Sequence, residues 1–253
     1  MNNSLAGKTA LITGASQGIG ESIALALANQ GVKVILFSRK HEIAQILVDR
    51  IKAEGGRANA YSVDVCREDQ IEDAVAQVLS ANNSLEILIN CVGGFSKFLP
   101  IEEITSAEWE QVFDINLKSA FLMSRALIPN MKRHQFGRII NIASIAGNGP
   151  NPYGMSYLPY GAAKAGLIGF TKHLAKELGA FGITVNSVSP GTTATDRVIQ
   201  IRDPESLRKM AEQTPLKRLV TPEDTAQAVL FLSSDAAGGI TGVNLNVNAG
   251  AVM

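Results

Sequence analysis

Tyr160 and Lys164 stand four residues apart in Tyr160-Gly161-Ala162-Ala163-Lys164, inside a stretch of helical period, so their side chains share one face. A free phenol, with a pKa of ~10, exchanges protons poorly at neutral pH. A neighbouring ammonium favours the phenolate, and a drop of three units would take roughly 4 kcal/mol of differential interaction. Ser144 closes the apolar run Ile139-Ile140-Asn141-Ile142-Ala143. Its hydroxyl can donate to a carbonyl oxygen there and polarise it. Tyr153 and Tyr157 are rival phenols, but four positions beyond them stand Tyr157 and Gly161, not lysine. These three residues suit proton transfer beside an activated carbonyl.

A second cluster lies near the start of the chain. Thr13-Gly14-Ala15-Ser16-Gln17-Gly18-Ile19-Gly20 joins an apolar run to a helical stretch. Glycines there let backbone N–H groups approach a pyrophosphate, and the helix dipole adds positive character. The spacing is T-G-x-x-x-G-x-G, not the general G-x-G-x-x-G.

The elements that must hold these groups are legible in the hydrophobic pattern. Strands are expected at Thr9–Thr13, Lys33–Phe37, Ala58–Val63, Ile87–Asn90, Arg138–Ala143, Thr184–Ser187 and Val243–Val247. Helices are expected near Gly18–Gln30, Glu42–Glu54, Glu68–Ser80, Ala107–Arg133, Gly161–Leu178, Pro204–Glu212 and Pro222–Leu232. Apolar strands alternating with helices describe an α/β, Rossmann-type, doubly wound parallel sheet of about seven strands, covered on both faces. No linker or low-complexity run divides the 253 residues, so residues 1–253 are expected to form one domain. Ligands of such sheets sit beyond the C-terminal ends of the strands, where strand order reverses. Nearly all the residues singled out here fall just after strands.

In that context the glycine loop resembles that of the short-chain dehydrogenase/reductase family. The resemblance extends, in the family's order, through Asn90-Cys91-Val92-Gly93, Asn116, Ser144, Tyr160-Gly161-Ala162-Ala163-Lys164 and Pro190-Gly191. It implies catalytic roles for Asn116, Ser144, Tyr160 and Lys164. Lys164 would also hold the nicotinamide ribose, and the backbone carbonyl of Asn116 would hold a water in a proton relay. It further implies carbonyl reduction, with Tyr160 protonating the alkoxide and Ser144 stabilising its charge. Cofactor contacts are expected from Gly14, Ser16, Gln17, Gly18, Ile19 and Gly20, from Asp64 and Val65 at the adenine, and from Asn90 and Gly93 along the ribose. Pro190, Gly191, Thr193 through its backbone and Thr195 through its hydroxyl would meet the nicotinamide.

The second strand ends Leu36-Phe37-Ser38-Arg39-Lys40. An NAD site places a carboxylate there. Ser38 occupies that place, and Arg39 can grip a 2′-phosphate with charge-assisted hydrogen bonds. NADP(H) is therefore expected over NAD(H), with Lys40 solvating a helix start.

Within the family the sequence is most similar to the 3-oxoacyl-[acyl-carrier-protein] reductases, above all at Tyr160 to Phe170 and Gly182 to Asn186. The resemblance implies a 3-oxoacyl thioester substrate, an acyl carrier protein partner docked on Lys132, Arg133 and Arg138, and a homotetramer. Two departures leave another ketone or secondary alcohol open. Phe181 stands where carrier-dependent members are often basic, and Ser144 to Tyr160 spans 16 positions, three more than is commonest. The Gly/Pro-rich segment Gly147 to Pro159 reads as a loop whose Tyr153, Met155, Tyr157 and Leu158 can wall a substrate pocket. Asp196 to Pro215 lies where the family carries a substrate lid, and Arg197, Arg202 and Lys209 there read as solvated charges.

Lys plus Arg (23) balances Asp plus Glu (23), which argues against nucleic acid as the main partner. Cys66 and Cys91 read as buried thiols, and His41, His134 and His173 lack second ligands at metal spacing. Glu102-Glu103 and Glu223-Asp224 read as helix-start carboxylates, and Trp109 as core or interface. No signal peptide or membrane span is apparent, so a soluble cytoplasmic enzyme is expected. A dinucleotide sensor without turnover is the remote alternative, since both Tyr160 and Lys164 are present.

Overall fold

The interior strands are buried along almost their whole length, and the two edge strands are not. In the computed structural model, which describes residues 4–95, 97–150, 152 and 156–252, seven strands form one sheet. They are β1 (Thr9–Thr13), β2 (Lys33–Ser38), β3 (Arg57–Ser62), β4 (Ile87–Asn90), β5 (Gly137–Ile142), β6 (Ile183–Pro190) and β7 (Asn244–Val247). Their order is β3-β2-β1-β4-β5-β6-β7, and every pairing is parallel. β1, β4, β5 and β6 carry only buried residues, whereas β3 and β7 have exposed positions, as edges must. Strand order reverses between β1 and β4, the place beyond whose C-terminal strand ends doubly wound sheets bind their ligands.

Helices α1 (Gly18–Asn29), α2 (His41–Ala53) and α9 (Pro222–Ser233) cover one face of the sheet. Ile23, Ala24 and Leu27 of α1 share a core with Ala226, Val229 and Leu232 of α9, and Ser22 Oγ donates to Glu223 Oε1 at 2.9 Å. Helices α3 (Glu68–Ser80), α5 (Ser119–His134) and α6 (Leu158–Leu178) cover the other face. Pro159, at the start of α6, suits a first turn because that position has no intrahelical N–H bond to lose.

Two expectations change. The stretch expected as one helix over Ala107–Arg133 is α4 (Ser106–Phe113), a π turn (Asp114–Lys118) and α5. Asn116 lies within that turn. Its Nδ2 donates to the Val112 carbonyl at 2.8 Å, four residues back, where a regular helix would place a backbone N–H. The second addition is α7 (Asp196–Ile201), a short helix ahead of α8 (Pro204–Gln213) that the sequence pattern did not signal. Within the Gly147 to Pro159 loop, Tyr153 and Met155 lie outside the described residues. Glu223 and Asp224 are first-turn carboxylates of α9, as expected. Trp109 stacks on Phe113 at 4.7 Å and remains partly exposed in the chain taken alone.

Candidate active site

The glycine loop leaves β1 and enters α1 with Gly14 and Gly18 at φ +69° and +59°. A side chain at Gly18 would be strained there and would also press on the Thr195 methyl. The segment after β6 thus closes over the loop. Gln17, the N-cap of α1, offers no side-chain hydrogen bond, which leaves first-turn N–H groups available to an anion. Ser16 precedes α1, and Ile19 and Gly20 lie in its first turn. Thr13 fixes the far wall of the loop: its Oγ1 accepts from the backbone N–H of Cys91 and Val92 at 3.1 and 3.4 Å.

Beyond β4 the chain runs past Gly93 into the catalytic groups. A Cβ on Gly93 would lie 2.8 Å from Lys164 Nζ and 2.9 Å from Asn116 Oδ1, so a larger residue would displace one of these side chains. Asn116 clamps the next residue on both sides. Gly94 N–H donates to Oδ1, and Nδ2 donates to the Gly94 carbonyl, each at 2.8 Å. Lys164, buried on α6, donates to the Ile142 carbonyl at the end of β5 at 2.7 Å. Its Nζ is 5.7 Å from the centre of the Tyr160 ring. Ser144 caps the 3-10 turn Ile145–Gly147 by accepting from Ala146 N–H, and it also hydrogen-bonds Tyr160. Ser144, Tyr160, Lys164 and Asn116 are therefore brought together at the C-terminal ends of β4 and β5.

The electrostatics differ from expectation. Burial pushes the Tyr160 phenol up, and only its hydrogen bond with Ser144 pulls it down. Burial also lowers Lys164 to about 8. Desolvation dominates at both groups, and neither is shifted by attraction to the other. The phenol in this geometry is a held acid, not a standing phenolate.

Other expected residues are placed differently from one another. Asp64 Oδ1 accepts from Cys66 N–H, and the Val65 side chain packs into the core. The Asn90 side chain turns away from the crevice, donating to Asn141 Oδ1 at 2.8 Å, and Asn141 donates to Thr171. It builds the interior, so only its backbone borders the cleft. The Ser38 hydroxyl is engaged with the Lys40 backbone, while Arg39 is exposed beside it. Pro190 and Gly191 pair with Val247, and the Thr193 hydroxyl donates to Gly191 O. Thr195 Oγ1 accepts from Val198 N–H as the N-cap of α7.

The cationic patch expected at Lys132, Arg133 and Arg138 is not one surface. Arg138 is buried at the start of β5, donating to the Gly137 and Gly182 carbonyls and lying over the Phe136 ring. Lys132 sits over the Phe181 ring and near Glu177. All three occupy the end of the sheet opposite the site.

A protein-family profile described as Enoyl-(Acyl carrier protein) reductase matches residues 14–252. The 3-oxoacyl-[acyl-carrier-protein] reductase FabG of Staphylococcus epidermidis is 40% identical over 247 residues, covering 97% of this chain and 99% of that protein. The 3-oxoacyl-[acyl-carrier-protein] reductase of Synechocystis sp. is 38% identical and covers 98% of each. Among solved structures, a 7α-hydroxysteroid dehydrogenase complexed with NADH and 7-oxo glycochenodeoxycholic acid is 33% identical, with a TM-score of 0.93. It covers 99% of this chain and 96% of that one. This chain belongs to the short-chain dehydrogenase/reductase family.

As a short-chain dehydrogenase/reductase it is an oxidoreductase of carbonyl and hydroxyl groups, and the cofactor expected from Ser38 and Arg39 is NADP(H). The residues fit that cofactor: an uncapped α1 N-terminus for the pyrophosphate, and Arg39 without a competing carboxylate at Ser38. Among the described residues no helix can cross a membrane and no His/Cys/Asp/Glu group can hold a metal ion. Both cysteines are free, and burial raises Cys66 to about 11 and Cys91 to about 12, as inert thiols. Sequence reasoning missed Phe95 and Phe98. Phe95 packs at 4.9 Å from Tyr160 and 4.8 Å from Phe98. The signal was present, since two of only nine phenylalanines fall within four residues just past Gly94.

Proposed function

We propose that this protein reduces a 3-oxoacyl thioester, borne by acyl carrier protein or coenzyme A, to the 3-hydroxyacyl thioester. The observation that carries the reading is the grouping of Tyr160, hydrogen-bonded to Ser144, with Lys164, which meets Asn116 at Gly93, in a chain similar over nearly its whole length to 3-oxoacyl reductases. NADPH, when bound, supplies the hydride that adds to the carbonyl carbon. Ser144 donates to the carbonyl oxygen and steadies the charge that develops there. Tyr160, kept protonated at neutral pH by burial, gives its proton to that oxygen, which yields the alcohol. Lys164 then offsets the phenolate until a proton returns from solvent. Asn116 acts by holding Gly94, which keeps Gly93 close against the lysine.

In this reading the whole chain, residues 1–253, is one NADP(H)-binding reductase domain, active in the cytoplasm as a homotetramer. A sizing column tests the assembly. The chemistry is tested by NADPH oxidation against 3-oxobutanoyl thioesters of N-acetylcysteamine, coenzyme A and acyl carrier protein, with NADH in parallel. Turnover with NADPH on the thioesters supports the reading, and no turnover on any of them overturns it. The likeness to a hydroxysteroid dehydrogenase favours a cyclic ketone as the second reading, so a cyclic ketone belongs in the same panel.

A further inference from the structure

We propose that Thr171 is a positioning residue for the reaction: its hydroxyl, pinned to Asn141 of β5, sets where α6 sits along the sheet, and so where that helix holds Tyr160 and Lys164. The inference rests on the reductase reading above and adds to it a residue enclosed in the interior.

α6 meets the sheet largely through apolar side chains. Leu174 and Leu178 share a core with Leu88 of β4, Ile139 of β5, and Met123 and Leu127 of α5. Such contacts are non-directional, so they fix the spacing of helix and sheet better than the register. Hydrogen bonds fix register. Three attach one stripe of α6 to β5 and the turn that follows it: Tyr160 with Ser144, Lys164 with the Ile142 carbonyl, and Thr171 with Asn141. Thr171 stands seven residues beyond Lys164, two helical turns, and so faces the same way. The first two bonds belong to groups that the reaction engages. Thr171 is fully buried and is engaged by the fold alone.

The pin is stiff at each joint. Thr171 Oγ1 donates to the Leu167 carbonyl of its own helix at 2.8 Å, which turns its lone pairs to the sheet, and Asn141 Nδ2 donates to it at 2.9 Å. Asn141 Oδ1 accepts in turn from Asn90 Nδ2 at 2.8 Å, and Asn90 lies in register with it on β4. α6 is thereby tied, through β5, to the strand that runs on to Gly93. There the slack is small, since a Cβ on Gly93 would come within 2.8 Å of Lys164 Nζ. Asn90, Asn141 and Thr171 are all buried, and Asn90 Oδ1 has no partner among the described residues. Burying these groups costs desolvation that apolar side chains of the same shape would avoid. Stability is therefore a poor reason for the network, and the placement of α6 is a good one.

The test is reduction of 3-oxobutanoyl N-acetylcysteamine thioester with NADPH by the wild type, Thr171→Ser, Thr171→Cys and Thr171→Val, each at a temperature where its unfolding curve shows it folded. kcat should follow the hydroxyl and not the volume. Thr171→Ser should stay within about threefold of the wild type, because the acceptor is kept. Thr171→Val has the shape without the hydroxyl and should lose roughly tenfold or more in kcat, as small misplacements of reacting groups do. Its NADPH dissociation constant should stay within about threefold, since the glycine loop is untouched. Thr171→Cys should fall between the two, and it carries the test if Thr171→Val does not fold. Leu178→Val trims the packing of the same helix two turns farther on and should keep kcat within about twofold. Any one of three results overturns the inference while the reductase reading stands: undiminished kcat in the variants without a hydroxyl, a Thr171→Ser loss as large as theirs, or an equal loss in Leu178→Val. If the wild type reduces a cyclic ketone and not the thioester, the same series is read on that ketone. A wild type that reduces no ketone overturns the reductase reading and this inference with it.

Discussion

A buried cation sits at each end of β5, Arg138 of the strand itself and Lys164 of α6, and the two are treated differently. At its start Arg138 is surrounded: two backbone carbonyls accept from it, Asp235 lies 3.8 Å away and the Phe136 ring lies beneath. At its end Lys164 donates to a single carbonyl, that of Ile142, and faces Gly93 and the Tyr160 ring. Burial lowers both, but among the described residues Lys164 has one hydrogen-bond partner for three N–H groups, whereas Arg138 has two accepting carbonyls and leaves its Nε–H without a partner. A cation with many partners holds strands together. One with a single partner, set in a crevice, keeps donors for something else. Burial alone would not have separated the two.

The contrast can be broken by mutation. The largest effect is expected for Tyr160→Phe, which removes the proton donor of the thinly partnered end. Its kcat/KM should fall by about 10²–10⁴ while NADPH fluorescence titration shows binding retained. Undiminished turnover would remove Tyr160 from the chemistry. Lys164→Met should lower turnover by a similar order but leave the melting temperature near that of the wild type. Arg138→Met should do the reverse, losing about 2 kcal/mol of stability in urea unfolding because its carbonyls lose charged donors, with kcat nearly kept. Equal losses of both properties in the two variants would erase the distinction.

The titration of Lys164 sharpens the same point. Its pKa of about 8 means that the ammonium is present below that pH and lost above it, so reduction should slow as pH rises through about 8. The sign for stability is opposite. Charging this lysine is disfavoured in the folded state, so stability should rise between about 8 and the ordinary value of 10.5. Lys164→Arg, which does not titrate there, should move the alkaline limb of the rate profile upward. A limb unmoved in that variant assigns it to another group. Smaller still is Arg39→Ala, expected to cut the preference for NADPH over NADH by roughly tenfold through loss of a charge-assisted contact. Smallest is Lys132→Ala, at the far end of the sheet, where rates with carrier-bound and small thioesters should stay within about twofold.

Periodicity and glycine spacing made most of the fold legible. β1, β4 and α3 begin and end where the hydrophobic pattern places them. The π turn at Asn116 was not readable, because it depends on a side chain satisfying a carbonyl four residues back, which no periodicity reports. The site followed the same division. Order along the chain indicated that Ser144, Tyr160 and Lys164 belong together. It could not show that Asn90 points into the interior, that Ser38 is engaged with Lys40, or that burial holds the phenol protonated. Those depend on orientation and desolvation, which arise only once the sheet is assembled. Arg138 is the sharpest case: its type and neighbours suggest a docking charge, and its place at the start of an interior strand makes it part of the frame.

The pairing of α1 with α9 bears on how the chain is made. Ser22 and Glu223, which touch across that pairing, are 201 positions apart. A ribosome therefore delivers Ile23, Ala24 and Leu27 long before Ala226, Val229 and Leu232 exist to cover them. For most of synthesis the newborn chain presents an oily helix flank to the cell, a place for a chaperone to hold. Loss of the last quarter of the chain would leave that flank bare for good.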